Sequence, residues 1–160
     1  MERAEKPKQT VQDIMSTDLV TVQPNTTVQL VASIMDWRRI RHVLVEDEEE
    51  RFCGLVSHRH LLHLLAQCGC DECGLAKPVR EIMNATPPTA SPDTPLLEAI
   101  HRMREAQCDS LPVVSNGRLT GIVTTHDVLA VLSRMLEFDP CHSRLSAGEH
   151  IGDGGRVAAS

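Results

Sequence analysis

A chain of 160 residues, 41% of them hydrophobic, can bury a sizeable core only if its parts pack against one another. Lys and Arg number 16 against 22 Asp and Glu, and the formal charge of −6 has the wrong sign for a surface that follows a phosphate backbone. Aromatic residues make up 2%, with no Tyr, so there are few platforms for stacking single-stranded bases; nucleic acid is not an expected partner and the core must be aliphatic.

The first ten residues, MERAEKPKQT, are charged and contain no apolar run. Segment 1–10 is therefore expected to be an extension that is neither a secretion signal nor a membrane anchor, giving a cytoplasmic protein without a membrane partner. At residue 11 a repeat begins. VQDIM at 11–15 recurs as VREIM at 79–83, an offset of 68 that also pairs Thr21 with Thr89, Pro24 with Pro92 and Met35 with Met103. Towards the end of each copy the offset becomes 67, pairing Gly54 with Gly121, Val56 with Val123, Leu62 with Leu129 and Leu65 with Leu132. The chain is a duplication, with copies at 11–66 and 79–136.

Each copy predicts a short strand, a helix, two strands and a second helix. In copy one, Val28, Val31, Ala32 and Met35 fall on one helical face, with Asn25 as N-cap or adjacent turn residue. Two apolar runs then flank the acidic loop EDEEER, and Leu61, Leu62, Leu64 and Leu65 mark the closing helix. The connection at 67–78 carries AQCGCDECG. In copy two, Leu96, Ala99, Ile100 and Met103 repeat the first helical face, with Asp93 in the place of Asn25. LPVVSNGRLTGIV is a hairpin signal, since Asn116 and Gly117 both tolerate positive φ. Val128, Leu129, Val131 and Leu132 mark the last helix, and 137–160, small and polar without periodicity, is expected to be a flexible tail. One three-stranded sheet with two helices is too small to stand alone. The expected fold is therefore α+β, two β-α-β-β-α repeats packed sheet to sheet about a pseudo-twofold axis.

Six cysteines in an aliphatic, cytoplasmic chain are expected to be reduced. Cys68, Cys70 and Cys73 form a C-x-C-x-x-C run in the connection. Three thiols so close can converge on one ion, with Cys53, Cys108, His63 or a second subunit as fourth ligand; the alternative is a flexible connector with incidental thiols, and no bound metal is expected.

The ordered elements V-x-[DE]-I-M, the P-[ND]-T turn, the P-V-V strand and the G-[IL]-V-[ST]-x-x-D ending resemble the cystathionine β-synthase (CBS) domain, and two in tandem resemble a Bateman module. The resemblance covers roughly residues 11 to 135. It implies a regulatory sensor with two clefts between the paired repeats, each able to take an adenosine-containing ligand (AMP, ADP, ATP or S-adenosylmethionine type) with no chemistry done on it and no catalytic cofactor. It also implies a homodimer and a regulated partner protein that the sequence does not name. Trp37 would then be an interface anchor or core filling.

For the sites, the resemblance implies Val20 and Thr21 along the adenine, Arg41, His42 and Arg59 toward the phosphates, and Ile122 in the apolar wall. In GIVTTHDVL, Asp127 can accept from both ribose hydroxyls, and Thr124 and His126 share its turn. Thr124 and Asp127 can equally be a plain helix cap. The matching stretch of copy one, GLVSHRHLL, keeps Ser57 but has His60 in place of the aspartate and cannot hold ribose in the same way; with the loop around Thr89 it forms a degenerate second cleft. Leu44 stands where copy two has Pro112. Two other functions stay open: a metal or thiol redox sensor built on the cysteine run, and a structural dimerisation module with empty clefts. An enzyme is not expected, because no motif brings nucleophile, base and orienting group together and no Walker-type phosphate loop is present.

Overall fold

The offset that relates the copies in sequence also relates their elements in space. A computed structural model of the chain describes residues 9–68 and 72–137. After a 3-10 turn at Val11–Asp13, copy one forms β1 (Thr21–Val22), α1 (Val28–Arg38), β2 (His42–Glu46), β3 (Phe52–Ser57) and α2 (His58–Cys68). A short helix, α3 (Glu72–Leu75), leads to the matching 3-10 turn Val79–Glu81, followed by α4 (Leu96–Glu105), β4 (Ser110–Ser115), β5 (Arg118–Thr124) and α5 (Thr125–Glu137). The expected α+β architecture of two repeats is the one observed. Of the tail expected at 137–160, Glu137 instead ends α5 and the rest lies outside the described residues, as does Cys70 together with the side chains of Cys68 and Cys73.

The helices bury the faces their periodicity marked. Val28, Val31 and Met35 of α1 and Leu96, Ala99 and Met103 of α4 are all buried. Thr27 rather than Asn25 caps α1, its hydroxyl accepting from the Leu30 N–H, and Asn25 and Asp93 are turn residues. Trp37 is not core filling, for it projects from α1 at 81% exposure.

Copy one has a three-stranded sheet, β1 parallel to β2 and β2 antiparallel to β3. Copy two has only the β4–β5 hairpin, closed by Asn116 and Gly117 at φ 52° and 77°. Its first strand shrinks to a single bridge, with Ala90 N–H donating to the Pro112 carbonyl and Val114 N–H to the Ala90 carbonyl. Pro112 stands where Leu44 stands in copy one and has no N–H to repeat the bond that Leu44 donates to the Val20 carbonyl.

The opening segment of each copy packs in the core of the other. Val11 is buried among Ala99, Leu111, Val113 and Val123, while Val79 is buried among Val28, Val31, Val43 and Val56. Backbone hydrogen bonds fix the exchange symmetrically: Val11 N–H donates to the Thr94 carbonyl at 2.9 Å and Val79 N–H to the Thr26 carbonyl at 2.8 Å. Each buried valine contributes about 2 kcal/mol. Beyond the turns, Ser16 bridges Ile122 on β5 and Asn84 bridges Leu55 on β3. Glycine is needed at both crossings. A Cβ on Gly54 would lie 2.6 Å from the Asn84 carbonyl oxygen, and one on Gly121 would lie 2.5 Å from Met15 Sδ. The hairpin tips also meet, through Phe52 N–H to the Gly117 carbonyl and an ion pair between Arg118 and Glu50.

Candidate functional site

The crossing of Ser16 over β5 opens a cavity of about 420 Å3 between the copies, a size typical of small-molecule pockets. Copy one supplies Val20, Arg41 and His42 among the sequence candidates, and copy two supplies Ile122, Thr124, His126 and Asp127; all line this one cavity. Thr21 and Arg59 do not line it. Thr21 is exposed on β1, and Arg59, two residues into α2, occupies the place in copy one that His126 occupies in copy two, so its charge falls on Asp109 instead. The walls also include Ser16, Asp18, Leu19, Arg39, Ile40 and Leu44, of which the sequence drew notice to Leu44 and to Arg39, the latter in the tight basic cluster Arg38, Arg39 and Arg41.

The carboxylate of Asp127 is set by the start of α5. Its Oδ2 accepts from the Thr124 N–H and the Thr124 hydroxyl, both at 2.7 Å, which satisfies a backbone donor just ahead of the helix. The cap is thus present. It engages one carboxylate oxygen, and among the described residues Oδ1 accepts from none. Capping and ligand binding are therefore compatible roles for the two oxygens.

Positive charge gathers on the opposite wall. Arg39 ends α1 in the left-handed region, at φ 54°, where a non-glycine residue costs about 1 kcal/mol. Arg41 follows two residues later. Among the described residues neither guanidinium has an ion-pair partner, whereas Asp18 at the rim is paired with Arg38 at 3.0 Å. His42, the first residue of β2, bonds across the copies, its Nε2 donating to Asp109 Oδ1 at 3.0 Å. Burial lowers the His42 pKa below 6.5, and the hydrogen bond and charge of Asp109 recover only part of that shift. The imidazole is therefore neutral at pH 7 and donates Nε2–H to the carboxylate. For Asp109, burial pulls upward, but the His42 hydrogen bond leads the opposing influences that leave it below the ordinary carboxylate range.

The positions that the repeat relates to this wall invert its electrostatic pattern. Gln107, also left-handed at φ 51°, replaces Arg39, and Asp109 replaces Arg41. Ser110 replaces His42 and is too short to reach across, so its buried Oγ has no partner among the described residues. His60 takes over the cap: its Nδ1 accepts from the Ser57 N–H at 3.1 Å, the same N-cap to N3 geometry as Thr124 and Asp127. Burial, with the charges of His42 and His63, holds the His60 pKa below 6.5, as an accepting Nδ1 requires. His60 is thus a capping residue and not a solvent-facing one. Thr89 is partly buried and gives its carbonyl to Arg102.

Cys53 and Cys108 are free thiols whose pKa values are pushed up by burial. Among the described residues no set of three or more His, Cys, Asp or Glu converges as a metal site. No helix among them is long and apolar enough to cross a membrane.

The CBS domain family model matches residues 11–67 and 79–134. Among solved structures, the CBS domain pair of protein MJ0100 in complex with 5′-methylthioadenosine and S-adenosyl-L-methionine superposes with a TM-score of 0.73 at 27% identity, covering 81% of this chain and 99% of that one. CBSX2 in complex with AMP gives 0.70 at 27% identity, covering 79% and 98%. Among curated proteins, an uncharacterised 33.4 kDa protein of Thermofilum pendens is 35% identical over 79% of this chain and 41% of its own. Inosine-5′-monophosphate dehydrogenase of Mycobacterium leprae is 30% identical over 88% of this chain and 26% of its own, so the chain spans well under half of either relative. Two matched repeats and the same fold make the chain a member of the CBS domain family, in the form of a CBS pair.

Proposed function

We propose that the chain is a regulatory module that binds an adenine nucleotide, of the AMP, ADP or ATP type, in the cleft walled by Asp127 and Arg41, and passes that state to a partner protein. It does no chemistry on the ligand and needs no catalytic cofactor. The cavity carries the proposal: it gathers a carboxylate with one oxygen and two guanidiniums that have no partner among the described residues, and an apolar wall of Val20, Leu44 and Ile122. Carboxylate oxygens suit ribose hydroxyls, guanidiniums suit phosphates, and aliphatic side chains suit the purine. The bound adenosine compounds of the MJ0100 and CBSX2 structures support the ligand class. Because both copies build the walls, occupancy bears on how the copies sit together, which is the property a partner can read.

The module acts as a cytoplasmic homodimer. Leu62 and Leu65 on α2 and Leu129 and Leu132 on α5 are exposed at positions related by the internal repeat, and Met135 and Leu136 extend the stripe. An apolar surface of this kind suits a twofold contact.

Melting curves and calorimetry with adenosine, AMP, ADP, ATP and S-adenosylmethionine test the ligand. A rise in Tm with a phosphorylated adenosine is expected. No response to any of them at millimolar concentration would remove the proposal.

A further inference from the structure

Asp109 lies outside the cavity yet contacts His42 on one wall and Thr125, the neighbour of Thr124 and His126 on the other. Its Oδ1 meets His42 Nε2 of copy one at 3.0 Å, with the side chains 30% and 7% exposed. Its backbone carbonyl accepts from the N–H of Thr125 at 3.0 Å and from the Thr125 hydroxyl at 3.3 Å. Thr125 opens α5, next to the Thr124 and Asp127 turn. The internal repeat places Arg41 at the corresponding position, and the Arg41 carbonyl likewise accepts from the first N–H of α2, that of His58. The backbone tie is thus symmetric, while the side-chain link exists on one side only.

We propose that Asp109 is a positioning residue that holds His42 at the cavity wall and makes nucleotide binding proton-linked. The inference rests on the nucleotide reading of the cavity. With Nε2–H given to Asp109, Nδ1 is the nitrogen that gains a proton. The charged and titratable groups around His42 are Arg41 beside it, His58 and His60 at the start of α2, Asp109 ahead of β4, and Arg39, His126, Asp127 and the Arg38-paired Asp18 on the cavity wall and rim.

Without ligand, burial keeps the His42 pKa below 6.5, aided by His58 and Arg41 and opposed by Asp109. A phosphate brought into the cavity favours the imidazolium, so the pKa is higher in the complex and binding takes up a proton. Affinity is then greatest below the ligand-free pKa and falls as pH rises through the pKa of the complex, by up to about tenfold per pH unit for one proton. Asp109→Asn keeps an acceptor for Nε2–H but removes the anion. The His42 titration must move to lower pH, and the binding profile with it.

The test is calorimetry with ADP from pH 5 to 8.5, in two buffers of different ionisation enthalpy, on the parent, Asp109→Asn and His42→Gln. The terminal phosphate of ADP itself titrates near pH 6, and the His42→Gln profile supplies that reference, about 6 being the usual value for such a group. Expected are proton uptake by the parent above that reference and a profile displaced to lower pH in Asp109→Asn. NMR titration of the His42 ring in the ligand-free parent and Asp109→Asn gives a second, binding-independent measure, with a lower midpoint expected in the variant. Superimposable profiles, proton uptake undiminished in His42→Gln, or an unmoved ring titration each overturn the inference while leaving nucleotide binding intact. No heat from ADP in the parent at any pH overturns the nucleotide reading, and this inference with it.

Discussion

Replacing Asp127 by alanine removes two things at once, and they can be measured separately. The first is the cap, two bonds of 2.7 Å to Thr124. Its loss costs about 1 kcal/mol of stability, which for a chain of this length lowers Tm by about 3 °C. The second is the anion facing the cavity. A carboxylate that accepts from ribose hydroxyls makes charge-assisted bonds, and losing them costs about 1.5 to 3 kcal/mol, roughly ten- to a hundredfold in affinity. Asp127→Asn divides the two, since an amide oxygen still serves the Thr124 N–H but carries no charge. Tm should recover toward the parent while affinity stays low. His60→Ala removes only the 3.1 Å bond from the Ser57 N–H and should lower Tm by a similar few degrees without touching affinity. Calorimetry with ADP, alongside melting curves on the three variants, decides the matter. Parent-like affinity in Asp127→Ala, or an equal loss in His60→Ala, would refute the reasoning that makes Asp127 more than a cap.

Other perturbations reach the fold. Gly54→Ala should cost about 1 to 3 kcal/mol in urea unfolding, because its Cβ meets backbone at Asn84, while Gly121→Ala should cost less, because Met15 Sδ can swing away; the reverse order would contradict the crossing geometry. His42 and His60 both have folded pKa values below 6.5, so the stability held above that value should decline as pH falls from about 6.5 through the lowered values, well before carboxylates protonate. Stability flat between pH 7 and 5 would count against both assignments. Paired Leu62→Glu and Leu129→Glu changes should shift light-scattering mass toward the monomer with the fold retained, and an unchanged mass would place the subunit contact elsewhere.

Much of this was legible because duplication supplies its own control. The helical faces, the Asn116–Gly117 hairpin and the asymmetry of Asp127 and His60 are local patterns, and seeing each twice separates signal from accident. The shortened first strand of copy two was also written in the sequence, in Pro112 at the place of Leu44, although the repeat suggested a full strand there. What stayed hidden depends on distant parts of the chain meeting. Nothing near Arg59 tells that it stays out of the cavity, and nothing in copy two marks Asp109 as the partner of His42, 67 residues away. Arg39 belonged to a visible basic cluster, but only its left-handed backbone, set by how α1 ends, turns it into the cavity wall. His60 looked like a lost carboxylate when its ring nitrogen had kept the capping half of the role.

The exchange of opening segments makes the two copies thermodynamically inseparable. Unfolding copy one withdraws Val11 from the core of copy two, and unfolding copy two withdraws Val79 from the core of copy one. A half-folded chain would keep a hole where a valine had been, a backbone donor without its carbonyl and a carbonyl without its donor, so it has no favourable place on the unfolding path. Heat should therefore melt the duplicated protein as one cooperative unit, despite its two cores, with equal calorimetric and van't Hoff enthalpies.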